Sequence, residues 1–150
     1  MYQLVLFLHS WIRWIALAAG ILATFQALSP RSDDSAASER WGLIFTITLD
    51  VQLLLGLVLY LALSPTTRAI FDNFGAAMRD SIARFWAVEH VTTMLAALVA
   101  AHVGRVLARR AVTPAPRRSR LVITYGVATF LLLVGIPWPG FRAGRPLFRI

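Results

Sequence analysis

The chain contains no cysteine and no lysine. The absence of cysteine excludes disulfides, zinc ribbons, iron–sulfur ligation and thiol nucleophiles, and leaves no thiol usage from which to read a compartment. All fifteen basic residues are arginine, which reports a GC-rich genome before it reports function. Acidic residues are few: seven, for a net charge of +8. In a soluble protein that charge would suggest nucleic acid. Here no nucleic-acid partner is expected, because 58% of the residues are hydrophobic and the mean hydropathy is +0.67. Soluble domains hold roughly 45–50% apolar residues, so the excess arginine is better matched to anionic lipid headgroups. No basic residue precedes the first apolar run, "MYQLVLF". A cleaved signal peptide would begin with one, so residues 1–28 are expected to be a retained helix.

What the chain does have is long apolar blocks. A bilayer core requires about 20 such residues per helix, and four blocks qualify, at about 3–28, 41–63, 84–108 and 120–138. They predict an all-α integral membrane protein, one transmembrane domain over 1–150, folded as an up-down-up-down four-helix bundle. "SPRSDDSAASER" joins spans 1 and 2 with loop chemistry. Between spans 2 and 3, Ile70, Phe71, Phe74, Ala77 and Met78 recur at helical spacing and predict a short amphipathic helix in the membrane interface. The tail "PWPGFRAGRPLFRI" is expected to be irregular, with Trp138 as an interfacial anchor. The 105–120 connection carries six arginines and no acidic residue, so it is the best cytoplasmic segment. Both termini then face the periplasm or exterior of a bacterial inner membrane.

Polar residues inside the spans carry the functional signal, since intramembrane ionisable groups are costly. His9 and His90 each lie about six residues into their spans, roughly 9 Å below the outer surface at 1.5 Å per residue. Spans 1 and 3 run in the same direction and lie diagonally across the bundle, so the two imidazoles should face each other. That is the arrangement for one b-type haem with two axial histidines. Arg13 is one turn below His9 on the same face, at a depth that Asp50 also reaches; an Arg13–Asp50 ion pair is expected. Glu89 is placed to accept from an imidazole N–H, a haem edge or an exchangeable ligand, and Trp14 and Trp86 to wall the pocket. His102 points about 120° away from His90 and has no histidine at matching depth, so it is expected to be a helix-end residue. Met94, one turn below His90, is a packing residue or a soft copper ligand.

The stretches "LHSWIRW", "GLIFTITLDVQLLLGLVLY", "FGAAMRDSIARFWAVEH" and "GIPWPGFRAGRPLFR" resemble a group of small bacterial four-helix membrane proteins labelled cytochrome b-like. Respiratory cytochrome b places two histidines on each of two helices and stacks two haems. This chain has two on span 3 but only His9 on span 1, so the resemblance implies a single haem on His9 and His90 and assigns nothing to His102. The reading is therefore a membrane electron-transfer protein, or such a subunit among other membrane redox subunits, with quinone as a candidate exchange partner. Two rivals stand beside it: a cofactor-free structural or assembly subunit, and a copper-handling protein using His9, His90 and Met94.

Overall fold

An apolar segment in hydrocarbon has no water to bind its backbone, so it must close every N–H and C=O bond within itself, as a helix does. The structure, a computed structural model, describes residues 1–29 and 36–148. The heart of the first expected loop, with Arg31, Asp33 and Asp34, falls outside the described residues, as does Arg149. The described residues form seven α-helices: α1 (Tyr2–Leu28), α2 (Ala36–Val58), α3 (Pro65–Asp72), α4 (Phe74–Ala77), α5 (Ser81–Arg84), α6 (His90–Arg109) and α7 (Pro114–Gly135). A π-helical segment, Leu59–Leu63, continues α2, and a second, Phe85–Glu89, joins α5 to α6. Among the described residues there is no strand. Four runs are long and apolar enough to cross a membrane: Tyr2–Leu28, Glu39–Leu63, Ser81–Arg109 and Pro114–Gly135. The protein is a multi-pass membrane protein whose apolar helices face lipid.

The last span starts earlier than its hydropathy suggests. Pro114 occupies the first turn of α7, where its missing N–H costs nothing. Three arginines in the next two turns reach out to other elements: Arg117 to Glu39 at 2.5 Å, Arg118 to the Leu28 carbonyl at 2.7 Å and Arg120 to the Leu107 carbonyl at 2.6 Å. They tie together the end of the bundle opposite the histidines. At its other end α7 stops at Gly135, because Pro137 forces Ile136 into extended backbone.

The segment between the second and third spans is helical but broken. Asn73 and Asp80 accept the first-turn N–H groups of α4 and α5 with their side chains, so each starts a new helix where a single one could have run on. Of the apolar residues expected on one face, Ile70 and Ala77 are buried together with Ala87, and Met78 and Trp86 pack against them, whereas Phe71 and Phe74 remain exposed.

Within the bundle, α1 packs along α2, α6 along α7, and α1 also lies against α7. The α2–α6 contact is sparser, and α1 and α6 sit across the diagonal. Small residues allow the close approaches, as expected where helices associate by van der Waals packing rather than by escape from water. Ala16, Ala19 and Ala23 on α1, Ala97 and Ala101 on α6, and Ala128 on α7 are almost wholly buried. Phe45 is the large side chain at the centre, edge-on to Tyr125 at 5.7 Å. A Cβ at Gly20 would come within 2.7 Å of the Thr129 hydroxyl and 2.8 Å of the Phe45 ring. A Cβ at Gly126 would meet only Thr24, at 3.9 Å. Gly20→Ala should therefore destabilise the detergent-solubilised protein by about 1–3 kcal/mol, whereas Gly126→Ala should be neutral or slightly stabilising. Thermal unfolding followed by circular dichroism reads the difference, and equal midpoints for the two variants would contradict this packing.

Candidate functional site

The sparse contact between α2 and α6 has a local cause. Toward the Arg105 end the helices are bridged by polar groups: His102 Nε2 donates to the Asp50 carboxylate at 2.9 Å, and Arg105 donates to the Thr46 hydroxyl at 3.3 Å. Toward the His9 end they part around a cavity of about 410 Å³, within the roughly 300–1,000 Å³ range of ligand sites. Tyr60 closes over this end, its hydroxyl donating to the Ala87 carbonyl at 2.6 Å. Both π-helical segments border the cavity, through Leu59, Tyr60 and Trp86. Such segments widen a helix locally and shift the phase of the residues beyond them.

The helical repeat decides which residues line it. From α1 come Gln3, Leu6, His9, Ser10, Arg13 and Ala16, one face at spacings of three and four. From α2 come Leu49, Gln52, Leu53 and Gly56 at the same spacing, with Leu57 beside them, and its π-helical continuation adds Leu59 and Tyr60. His90, Val91, Met94 and Leu98 complete the α6 wall, with Leu132 and Ile136 from α7.

His9 and His90 meet across this space. Their ring centroids are 6.4 Å apart and their planes are inclined at 72°. That separation leaves room for one metal ion bound by both imidazoles through bonds of about 2.0–2.1 Å. His90 Nδ1 donates to the Gly135 carbonyl at 2.8 Å, which places the proton on Nδ1 and leaves Nε2 as the basic nitrogen. This is the outer-shell support that ligating histidines almost always have. Phe85 and Trp86 flank the His90 ring at 5.8 and 5.6 Å. Across from them, Gly56 lets α2 approach His9: a Cβ there would stand 3.3 Å from His9 Cε1. Three buried polar atoms at the cavity, His9 Nδ1, Gln52 Oε1 and Trp86 Nε1, have no hydrogen-bond partner among the described residues. Orphaned polar atoms converging on one space call for a ligand that satisfies them. Residues of this type and placement fit a bis-histidine haem. No group of three or more His, Cys, Asp or Glu residues able to hold a metal ion occurs among the described residues.

Other sequence expectations are revised. The Asp50 carboxylate engages His102 rather than Arg13, and neither it nor Glu89 lines the cavity. Leu49, next to Asp50 in the chain, does line the cavity, so Asp50 is kept out by its azimuth toward His102 rather than by its depth. Glu89 turns to Arg84, accepting from Nε at 2.8 Å on the exposed face. Arg13 does line the cavity, but its Nη2 donates to the Leu147 carbonyl at 2.5 Å. Trp14 is not a pocket wall. It donates to the same carbonyl at 3.2 Å and packs on Trp138 and Phe148 at 5.9 and 5.7 Å.

The C-terminal tail, expected only to be irregular, is thus part of the site. It folds back over the His9 end and adds Pro137, Arg145 and Pro146 to the cavity wall, with the Arg145 guanidinium 5.2 Å over the Trp86 ring. Gln52 and Gly56 were also missed, although the stripe 49-52-53-56-60 was legible in the α2 sequence. Nothing local marked Arg145.

Compared with known family models, curated proteins and solved structures, the chain matches none.

Together with Arg13, Trp14 holds the tail, and its share, ring packing and one hydrogen bond, is worth roughly 1–2 kcal/mol. Trp14→Ala should raise the open population by about 5- to 30-fold. Limited trypsin digestion in detergent should then cut after the exposed Arg142 correspondingly faster, and an unchanged rate would mean the tail is held by other contacts.

Proposed function

We propose that the protein is a membrane electron-transfer protein, or such a subunit of a larger membrane redox complex, that holds one b-type haem between His9 and His90. The observation that carries this reading is the pair of imidazoles 6.4 Å apart across one cavity, one of them fixed by the Gly135 carbonyl. When bound, haem supplies a one-electron couple at its iron. The chain's own contribution is placement and environment. His9 from α1 and His90 from α6 would hold the haem iron, and Gly56 lets α2 close against the His9 imidazole. Leu6, Leu53, Val91, Met94 and Leu98 keep the cavity largely apolar, and the tail shields it from the aqueous side. Arg13, which lines the same cavity as His9 and His90, adds a fixed positive charge that favours the reduced, less positive state of the couple.

Quinone, a lipid-soluble carrier, is the proposed exchange partner. The setting proposed is the bacterial inner membrane. The arginine-rich connection from Arg105 to Arg120 would be cytoplasmic, and both termini and the cavity would be periplasmic. The resemblance of its sequence stretches to small cytochrome b-like membrane proteins is in keeping with this reading. Copper held by His9, His90 and Met94 is the specific rival, because Met94 lines the same cavity.

The test is spectroscopic. Protein expressed with adequate haem and purified in detergent should give a reduced-minus-oxidised spectrum with a low-spin α-band, lost in His9→Ala and in His90→Ala. Wild-type protein without that band would overturn the proposal, and stoichiometric copper in its place would favour the rival. A low-spin band persisting in both variants would refute the ligand pair.

A further inference from the structure

The cavity is chemically lopsided. Its inner part, around Leu49, Leu98 and Leu132, is apolar, whereas its mouth is built from hydrogen-bond donors. Arg145, exposed at that mouth, lies over Trp86, whose Nε1 is buried without a hydrogen-bond partner among the described residues. Ser64, the N-cap of α3, and Thr66 and Thr67 of its first turn belong to the same wall. Pro65 brings no N–H and the Thr67 N–H is taken by Ser64 Oγ at 3.3 Å, so Thr66 supplies the helix-start N–H, a group that favours negative charge. Trp86 packs in the cluster that includes Ile70 of α3, so these donors lie together. No Asp or Glu lines the cavity among the described residues.

We propose that this mouth is a carboxylate-binding site: Arg145, Trp86 Nε1 and the first turn of α3 hold the acidic groups of a ligand whose apolar plate lies inside. Resting on the haem reading, those groups are the two propionates, and Arg145 is the principal propionate-binding residue. A neutral ligand such as a quinone would give the Arg145 charge no counter-ion. A carboxylate satisfies it with charge-assisted, bidentate hydrogen bonds. The cavity is accordingly the cofactor's, and a quinone would exchange electrons from outside it.

The experiment compares two probes that differ only at the propionates. Protein made in haem-deficient cells and kept in detergent is titrated spectrally with haemin and with haemin dimethyl ester. Wild type should bind haemin about tenfold or more tightly than the diester. Arg145→Gln should lose most of that preference by weakening haemin alone, and Arg145→Lys should regain part of it. Equal wild-type affinity for the two probes, or an undiminished preference in Arg145→Gln, would overturn this inference and leave the haem reading standing. Failure of wild type to bind either tetrapyrrole would sink the haem reading and this inference together. An unchanged tryptic rate after Arg142 in Arg145→Gln shows that the tail remains docked.

Discussion

A polar side chain inside hydrocarbon has no water to turn to, and most of this structure depends on how its intramembrane polar groups find one another. Backbone groups are settled by helix formation. The side chains are settled in two layers between α2 and α6. In one, His102 and Asp50 pair with each other and Arg105 reaches Thr46, drawing the helices together. In the other, His9, Arg13, Gln52 and His90 surround a cavity that keeps the same helices apart. The bundle is closed by polar contacts at one level and opened by them at the next.

That division explains how a chain of 150 residues builds a sizeable site. The α1–α2 and α6–α7 pairs meet through alanine and glycine, so their backbones come close and little volume is spent on side chains. The larger residues are released to line the remaining seam. The two π-helical segments lie at the cavity end of their helices, and the second of them, Phe85–Glu89, immediately precedes His90. Glu89 turns outward to Arg84 while His90 points inward to Gly135. Adjacent residues thus serve opposite faces.

The tail adds a level of organisation that no span supplies. Pro137 and Gly140, the latter with φ of +95°, direct the chain back over the bundle end, a conformation glycine adopts without strain. Trp14 and Arg13 then hold the Leu147 carbonyl. Arg145 reaches the cavity mouth from this segment, bringing a cation to a place where a span could carry one only at high cost.

What the sequence by itself determined is what depends on local order along the chain. Apolar block length set the four crossing helices, and residue count from each helix end set the common depth of His9 and His90. The spacing of four between His9 and Arg13 put both on one face, and both line the cavity. Partner choice was decided only by the tertiary structure. Asp50 stands at the depth expected for Arg13, yet depth says nothing about azimuth, and His102 occupies the facing position across the α2–α6 seam. Glu89 adjoins His90 and so points to a different face, where Arg84 pairs with its charge; the choice of that partner was settled only by the fold of the preceding segment. Arg145 and Trp14 are 131 positions apart in the chain, and only the folded tail, packed by its rings and held through one backbone carbonyl, brings them to the same end of the molecule.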